Sequence, residues 1–204
     1  IELIQKNNIP LVLLVQEIKK HKEDGIVLDN ELAGYESTHR LIELGHKDIA
    51  IITGNFEHYT SRGRLKGFLD AMKEADLIPV DEHIQCGDYS IDGGYEAMLR
   101  IWDTKKRPTA IFISNYDMTI GAYLAINYLR LKIPEDISVI GFDNFPLANV
   151  VNPPLSFAEQ PTNLMGTEAG KLLYKRICGD YSDYPKTIMH KPTMHYKESI
   201  RQLV

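Results

Sequence analysis

No apolar run in this 204-residue sequence approaches the ~18–20 residues that a membrane-crossing helix needs, which excludes a helical span. The longest, Ile9 to Val15, has the length of a strand and contains Pro10. Cysteine is scarce: Cys86 and Cys178 stand far apart and make neither a CxxC nor a Cys/His metal spacing. That usage suits a reducing compartment, with both thiols expected as small buried hydrophobes. Positive charge is also short, since 23 Lys+Arg face 28 Asp+Glu for a net charge of −5. A chain so balanced is poorly equipped to hold nucleic acid phosphates by itself. Enzyme signatures are missing as well: there is no GxSxG, P-loop, HExxH or GxGxxG after a strand. The seven histidines have no metal-ligand spacing, and no Asp-x-Asp stands at a strand end to hold a divalent cation. No catalytic residue, metal or cofactor is therefore expected. There is no internal repeat, no low-complexity tract and no signal-peptide pattern. Ile1–Asn8 reads as the tail of a helix that began earlier, so the chain is expected to be a fragment.

What is present is an alternation of short, continuously apolar runs with amphipathic helices. The runs are Leu11–Val15, Ile26–Leu28, Ile49–Ile52, Ala110–Ile113 and Ile137–Ile140. Runs without polar alternation are buried on both faces, the mark of a parallel sheet covered by helices. Helix stripes follow at i, i+3, i+4, i+7: Leu65, Phe68, Leu69, Met72; then Tyr95, Met98, Leu99, Trp102; then Met118 to Leu129. Thr60 or Ser61 is expected to cap the first of these helices and Ser90 the second. Asp117 suits a first turn, His46 a helix end, and Pro161 with Gly179 bracket one more helix. The fold class is α/β, doubly wound.

In such sheets ligands bind beyond the carboxyl ends of the strands. The polar residues there are Asp29-Asn30, Asn115 with Asp117, and Asp143-Asn144. A carboxylate accepts from neighbouring hydroxyls and a carboxamide both accepts from and donates to them, as a sugar ring requires. Asp143 has no closely following helix to cap, so it needs another partner. Arg64 falls in the first turn of a predicted helix, where its charge opposes the helix dipole, and a ligand oxygen would explain it. Tyr89, after Gly87-Asp88, offers a ring face for stacking.

Read together, five segments form a known pattern: "VLDNELAGYESTHRLIELGHKDIAIITG" (Val27–Gly54), "SRGRLKGFLDAM" (Ser61–Met72), "RPTAIFISNYDMTIGA" (Arg107–Ala122), "IPEDISVIGFDN" (Ile133–Asn144) and "PPLSFAEQP" (Pro153–Pro161). In order and spacing they resemble the effector-binding domain of LacI/GalR-family bacterial transcriptional regulators. The closing "HYKESI" is similar too, with Lys197 where arginine is usual. The resemblance implies a periplasmic-binding-protein-like fold of two doubly wound parallel-sheet lobes joined by three crossovers. The N-terminal lobe would hold residues 1–27 and 159–188, incompletely, and the C-terminal lobe residues 28–158 and 189–204. It further implies a carbohydrate-like small-molecule effector between the lobes, a homodimer, a cytoplasmic location, no membrane contact, and operator DNA reached only through a head missing from this chain. The alternative is a periplasmic sugar-binding protein of a transporter. Carried over residue by residue, the effector contacts are Arg64, Tyr89, Asn115, Asp143 and Gln160. Two departures stand out: Val15-Gln16 replaces the Asp-Arg usual after Pro10, and Tyr116 separates Asn115 from Asp117.

Overall fold

A computed structural model describes residues 1–16, 23–143 and 147–203, so Asn144 lies outside the described residues. In chain order the elements are α1 (Glu2–Lys6), β1 (Val12–Leu14), β2 (Asp24–Leu28), α2 (Asn30–Glu43), β3 (Ile49–Thr53), α3 (Tyr59–Glu74), β4 (Ile84–Cys86), α4 (Ile91–Trp102), β5 (Ala110–Ile113), α5 (Tyr116–Tyr128), β6 (Ser138–Phe142), α6 (Leu147–Val150), β7 (Ser156–Glu159), α7 (Thr162–Ile177), β8 (Thr187–His190) and β9 (Thr193–His195). They fall into two compact units, Ile1–Asp29 with Pro161–Lys191 and Asn30–Gln160 with Pro192–Val204.

The larger unit is built on a six-stranded sheet ordered β4-β3-β5-β6-β7-β9, parallel throughout except for β9, which runs antiparallel to β7. Every residue of β3, β5 and β6 is buried, as the unalternated apolar runs require. Ala50, Ile52, Ile111, Ile113 and Val139 share one face and pack with Met98, Ile101, Met118 and Ile126 of α4 and α5. The alternate residues Ile51, Phe112 and Ile140 are in register with one another and point to the other face, where α2 and α3 lie. β4 has no counterpart among the sequence-predicted runs, because its three residues include Gln85 and it sits at the sheet edge.

Within each helix pair the backbones touch. A Cβ placed on Gly121 of α5 would lie 1.9 Å from the Ile91 carbonyl oxygen of α4, and one on Gly67 of α3 would lie 2.0 Å from that of Glu31 in α2. Gly166 of α7, by contrast, has nothing within 4 Å. Gly121→Ala is therefore expected to cost about 1–3 kcal/mol by forcing the helices apart. Gly166→Ala should gain up to ~1 kcal/mol from helix propensity alone. Urea unfolding of both variants checks the contrast, and equal effects would refute it.

The smaller unit carries a parallel three-stranded sheet ordered β1-β2-β8, with α7 packed on β1 and β2. β2 is fully buried, but β1 is only half-buried with Leu14 exposed, contrary to the expectation from its apolar run. A parallel edge strand with one neighbour has less to bury against. β1 ends where Val15 takes a φ of +67°, a left-handed conformation that a β-branched residue adopts only under strain.

Several local expectations need correction. α3 begins at Tyr59 with His58 as an N-cap that makes no side-chain bond, so neither Thr60 nor Ser61 caps it. Arg64 consequently sits in the second turn, and the dipole argument for it lapses. Leu69 is exposed, because the buried stripe of α3 runs through Ser61, Arg64, Phe68 and Met72 instead. His46 does not serve a helix end by its side chain, which bridges the Thr109 hydroxyl at 2.9 Å and the Arg201 carbonyl at 3.1 Å. Cys86 is half-buried and Cys178 exposed, so the second is no core residue. Ser90 does cap α4, accepting from the Gly93 amide at 3.0 Å, and Gly179 ends α7 with a φ of +83°.

Candidate functional site

The carboxyl end of the six-stranded sheet gathers the five residues singled out in the sequence. Arg64 is the hub. It points from α3 onto the sheet and is 4% exposed, so it is not a solvated surface arginine. Its Nε donates to Asn30 Oδ1 at 2.9 Å and one terminal nitrogen to the Ser114 carbonyl at 2.5 Å. Its guanidinium carbon lies 3.6 Å from the centroid of the Phe142 ring. These three contacts fix the planar fork over the end of the sheet. Asn30, at the start of α2, is thus a positioning residue for Arg64, a role that its place at a strand end hinted at only in part.

Asp143 follows β6 directly, with a φ of +73° that turns its side chain out of the strand. It accepts from Gln160 Nε2 at 2.7 Å, while the other amide atom, Gln160 Oε1, is buried without a partner among the described residues. Burial pushes the Asp143 carboxyl above its ordinary range, against the Gln160 hydrogen bond and the charge of Arg64. Burial likewise works against the Arg64 charge, which Asp143 and Tyr89 support. The two groups attract one another without forming a direct ion pair. Each is held partly desolvated, a state that donors or acceptors from a ligand would relieve.

Tyr89 is anchored at its tip. Its hydroxyl bonds Thr60 Oγ1 at 2.7 Å and Ser61 Oγ at 2.5 Å, which is what those two residues do in place of capping. Its ring fills the space beside Gly54, and His58 meets it edge-on at 5.6 Å. Asn115 caps α5, accepting from the Met118 amide at 3.1 Å; its own amide has no acceptor among the described residues and can still donate outward. Asp117 is exposed in the first turn of α5. Among the described residues no group of three His, Cys, Asp or Glu is placed to hold a metal ion. Nor is any helix long and apolar enough to cross a membrane. The arrangement offers one carboxylate, one guanidinium donor, two carboxamides and an aromatic edge, which suits hydrogen bonding of a small polar ligand.

The profile of the periplasmic binding protein-like domain family matches residues 38–200. The HTH-type transcriptional repressor PurR of Actinobacillus pleuropneumoniae serotype 3 (strain JL03) is 36% identical over 204 residues, all of this chain and 61% of its own length. The chain thus spans about three fifths of that relative. Among solved structures, a transcriptional regulator CelR–cellobiose complex superposes with a TM-score of 0.91 at 28% identity, covering 97% of this chain and 61% of the other. A sugar-binding transcriptional regulator of the LacI family from Escherichia coli, complexed with phosphate, gives a TM-score of 0.85 at 27% identity, covering 99% and 72%. With a match over four fifths of its length and this agreement of fold, the chain belongs to the periplasmic binding protein-like domain family, as an effector-binding domain of the LacI/GalR type.

Proposed function

We propose that the chain is the sensing part of a cytoplasmic LacI/GalR-type transcriptional repressor. It binds a carbohydrate-like small molecule and passes the binding event to a separate head that reads operator DNA. The larger unit would be the C-terminal lobe and the smaller unit the N-terminal one. The observation that carries the reading is the meeting of Arg64, Asp143 and Gln160 at one sheet end, the first two charged groups held against desolvation and Gln160 Oε1 buried without a partner among the described residues. The cellobiose held by one structural relative supports a sugar as ligand class. A homodimer is supported by the exposed Ile91, Leu124 and Tyr128 on the adjoining helices α4 and α5, with Tyr128 70% exposed. Differential affinity for two arrangements of the domain is all that such a ligand needs to act as a switch.

The test is calorimetric titration with a panel of neutral mono- and disaccharides that includes cellobiose. A sugar should bind, and Asp143→Asn should weaken it at least tenfold. The pH dependence has a definite sign. Sugar hydroxyls donate to the carboxylate, so they favour ionised Asp143, whose pKa burial has raised. Affinity is then full above that raised value and falls about tenfold per pH unit below it. Folding stability responds oppositely: the same group contributes most when protonated, and loses that contribution as pH rises through its folded-state pKa. Binding only of charged metabolites, or indifference to Asp143→Asn, would overturn the reading.

A further inference from the structure

Two hydroxyls at this sheet end are buried with nothing to bond. Thr53 Oγ1 and Ser114 Oγ have no hydrogen-bond partner among the described residues, although their side chains are 0% and 1% exposed. Buried polar atoms are nearly always satisfied, so each such exception calls for an occupant or a function. Their positions are related. β3 and β5 pair Ile52 with Ile113, and β5 and β6 pair Phe112 with Ile140. Continuing both registers places Thr53, Ser114 and Phe142 in one row across three parallel strands, and in-register residues of parallel strands project from the same face. Arg64 lies over Phe142 in that row and donates to the Ser114 carbonyl. Two donor-acceptor hydroxyls therefore adjoin a fixed guanidinium, with no carboxylate in the row to pair with them.

We infer that Thr53 and Ser114 form a small recess that holds one neutral oxygen, supplied either by an ordered water or by a hydroxyl of the effector. A hydroxyl-lined pair can both donate to and accept from such an oxygen, which suits a water or an alcohol. Buried waters occur where two to four polar partners converge, and displacing one with a ligand group that reproduces its bonds preserves affinity. The recess would then set which effectors fit: those with a hydroxyl at that point in place of a hydrogen or a bulkier group. The effector source rests on the function proposed above; the recess does not.

The deciding experiment is high-resolution crystallography of the chain alone and after soaking in cellobiose, with Thr53→Val and Ser114→Ala examined alongside. The expected result for the unliganded protein is density for one oxygen within hydrogen-bonding reach of both hydroxyls, lost in either variant while the Arg64–Ser114 contact persists. In soaked crystals a sugar hydroxyl at the same point identifies the effector as source, and an unchanged water identifies solvent. If the sugar does not bind at all, the unliganded arm still decides the recess. A dry recess, or hydroxyls turned onto backbone carbonyls, overturns the inference.

Discussion

Asp24→Ala is expected to destabilise the smaller unit by about 3–5 kcal/mol, the usual result of stripping one partner from a buried ion pair. Asp24 is 0% exposed and takes Arg176 Nε at 2.6 Å on one oxygen. Its other oxygen accepts Arg176 Nη2 at 3.0 Å and the Lys186 amide at 2.7 Å. One carboxylate thus ties β2 to the end of α7 and to the approach of β8, which lie 152 and 162 residues further along the chain. Arg176 is 2% exposed, with Nη1 shared between the Asp180 carbonyl and Asp183 and its guanidinium 5.5 Å from the rings of both Tyr181 and Tyr184. Without Asp24 it retains hydrogen bonds on one terminal nitrogen only. Replacing both partners by apolar residues of similar shape should cost much less than the single change, because no charge is left buried alone. Urea unfolding of the two single variants and the double variant measures the coupling directly. Additive losses would show that the pair does not act as a unit.

Arg64→Ala should reduce effector affinity at least a hundredfold and also lower stability, on the order of 2–3 kcal/mol, since Asn30 Oδ1 and the Ser114 carbonyl lose their donor. The two effects can be separated. Arg64→Lys keeps a positive charge near Asp143 but cannot span Asn30 and Ser114 with a planar fork, so most of the affinity should still be lost with less loss of stability. Titration of a bound sugar against both variants, with thermal unfolding in parallel, checks this. If lysine restores affinity in full, charge alone matters and the fork geometry assigned to Arg64 is wrong. Both Arg64 and Arg176 are deeply buried, yet they differ in kind. Arg176 has all three nitrogens engaged by protein acceptors, two of them on a carboxylate, whereas the bonds of Arg64 from Nε and one terminal nitrogen go to a carboxamide and a backbone carbonyl.

The fold class, and where a candidate site would lie on it, were legible in the residues alone. Ile49–Ile52, Ala110–Ile113 and Ile137–Ile140 carry no polar alternation, are too short for buried helices and are rich in isoleucine, which suits a sheet covered on both faces. Once they are parallel strands, Asn115 and Asp143 must stand at their carboxyl ends. Tertiary structure decided what those residues do. Arg64 reads as a helix-start arginine until α3 is seen to begin five residues earlier, at Tyr59, and to turn it inward over Phe142. The anchoring of the Tyr89 hydroxyl by Thr60 and Ser61 likewise appears only in the folded chain. The Asp24–Arg176 pair was invisible, because 152 residues separate its partners and nothing local marks either as buried. Periodicity reports which face of an element is apolar. Hydrogen-bond partners are chosen by contacts between elements, and those exist only once the chain has closed on itself.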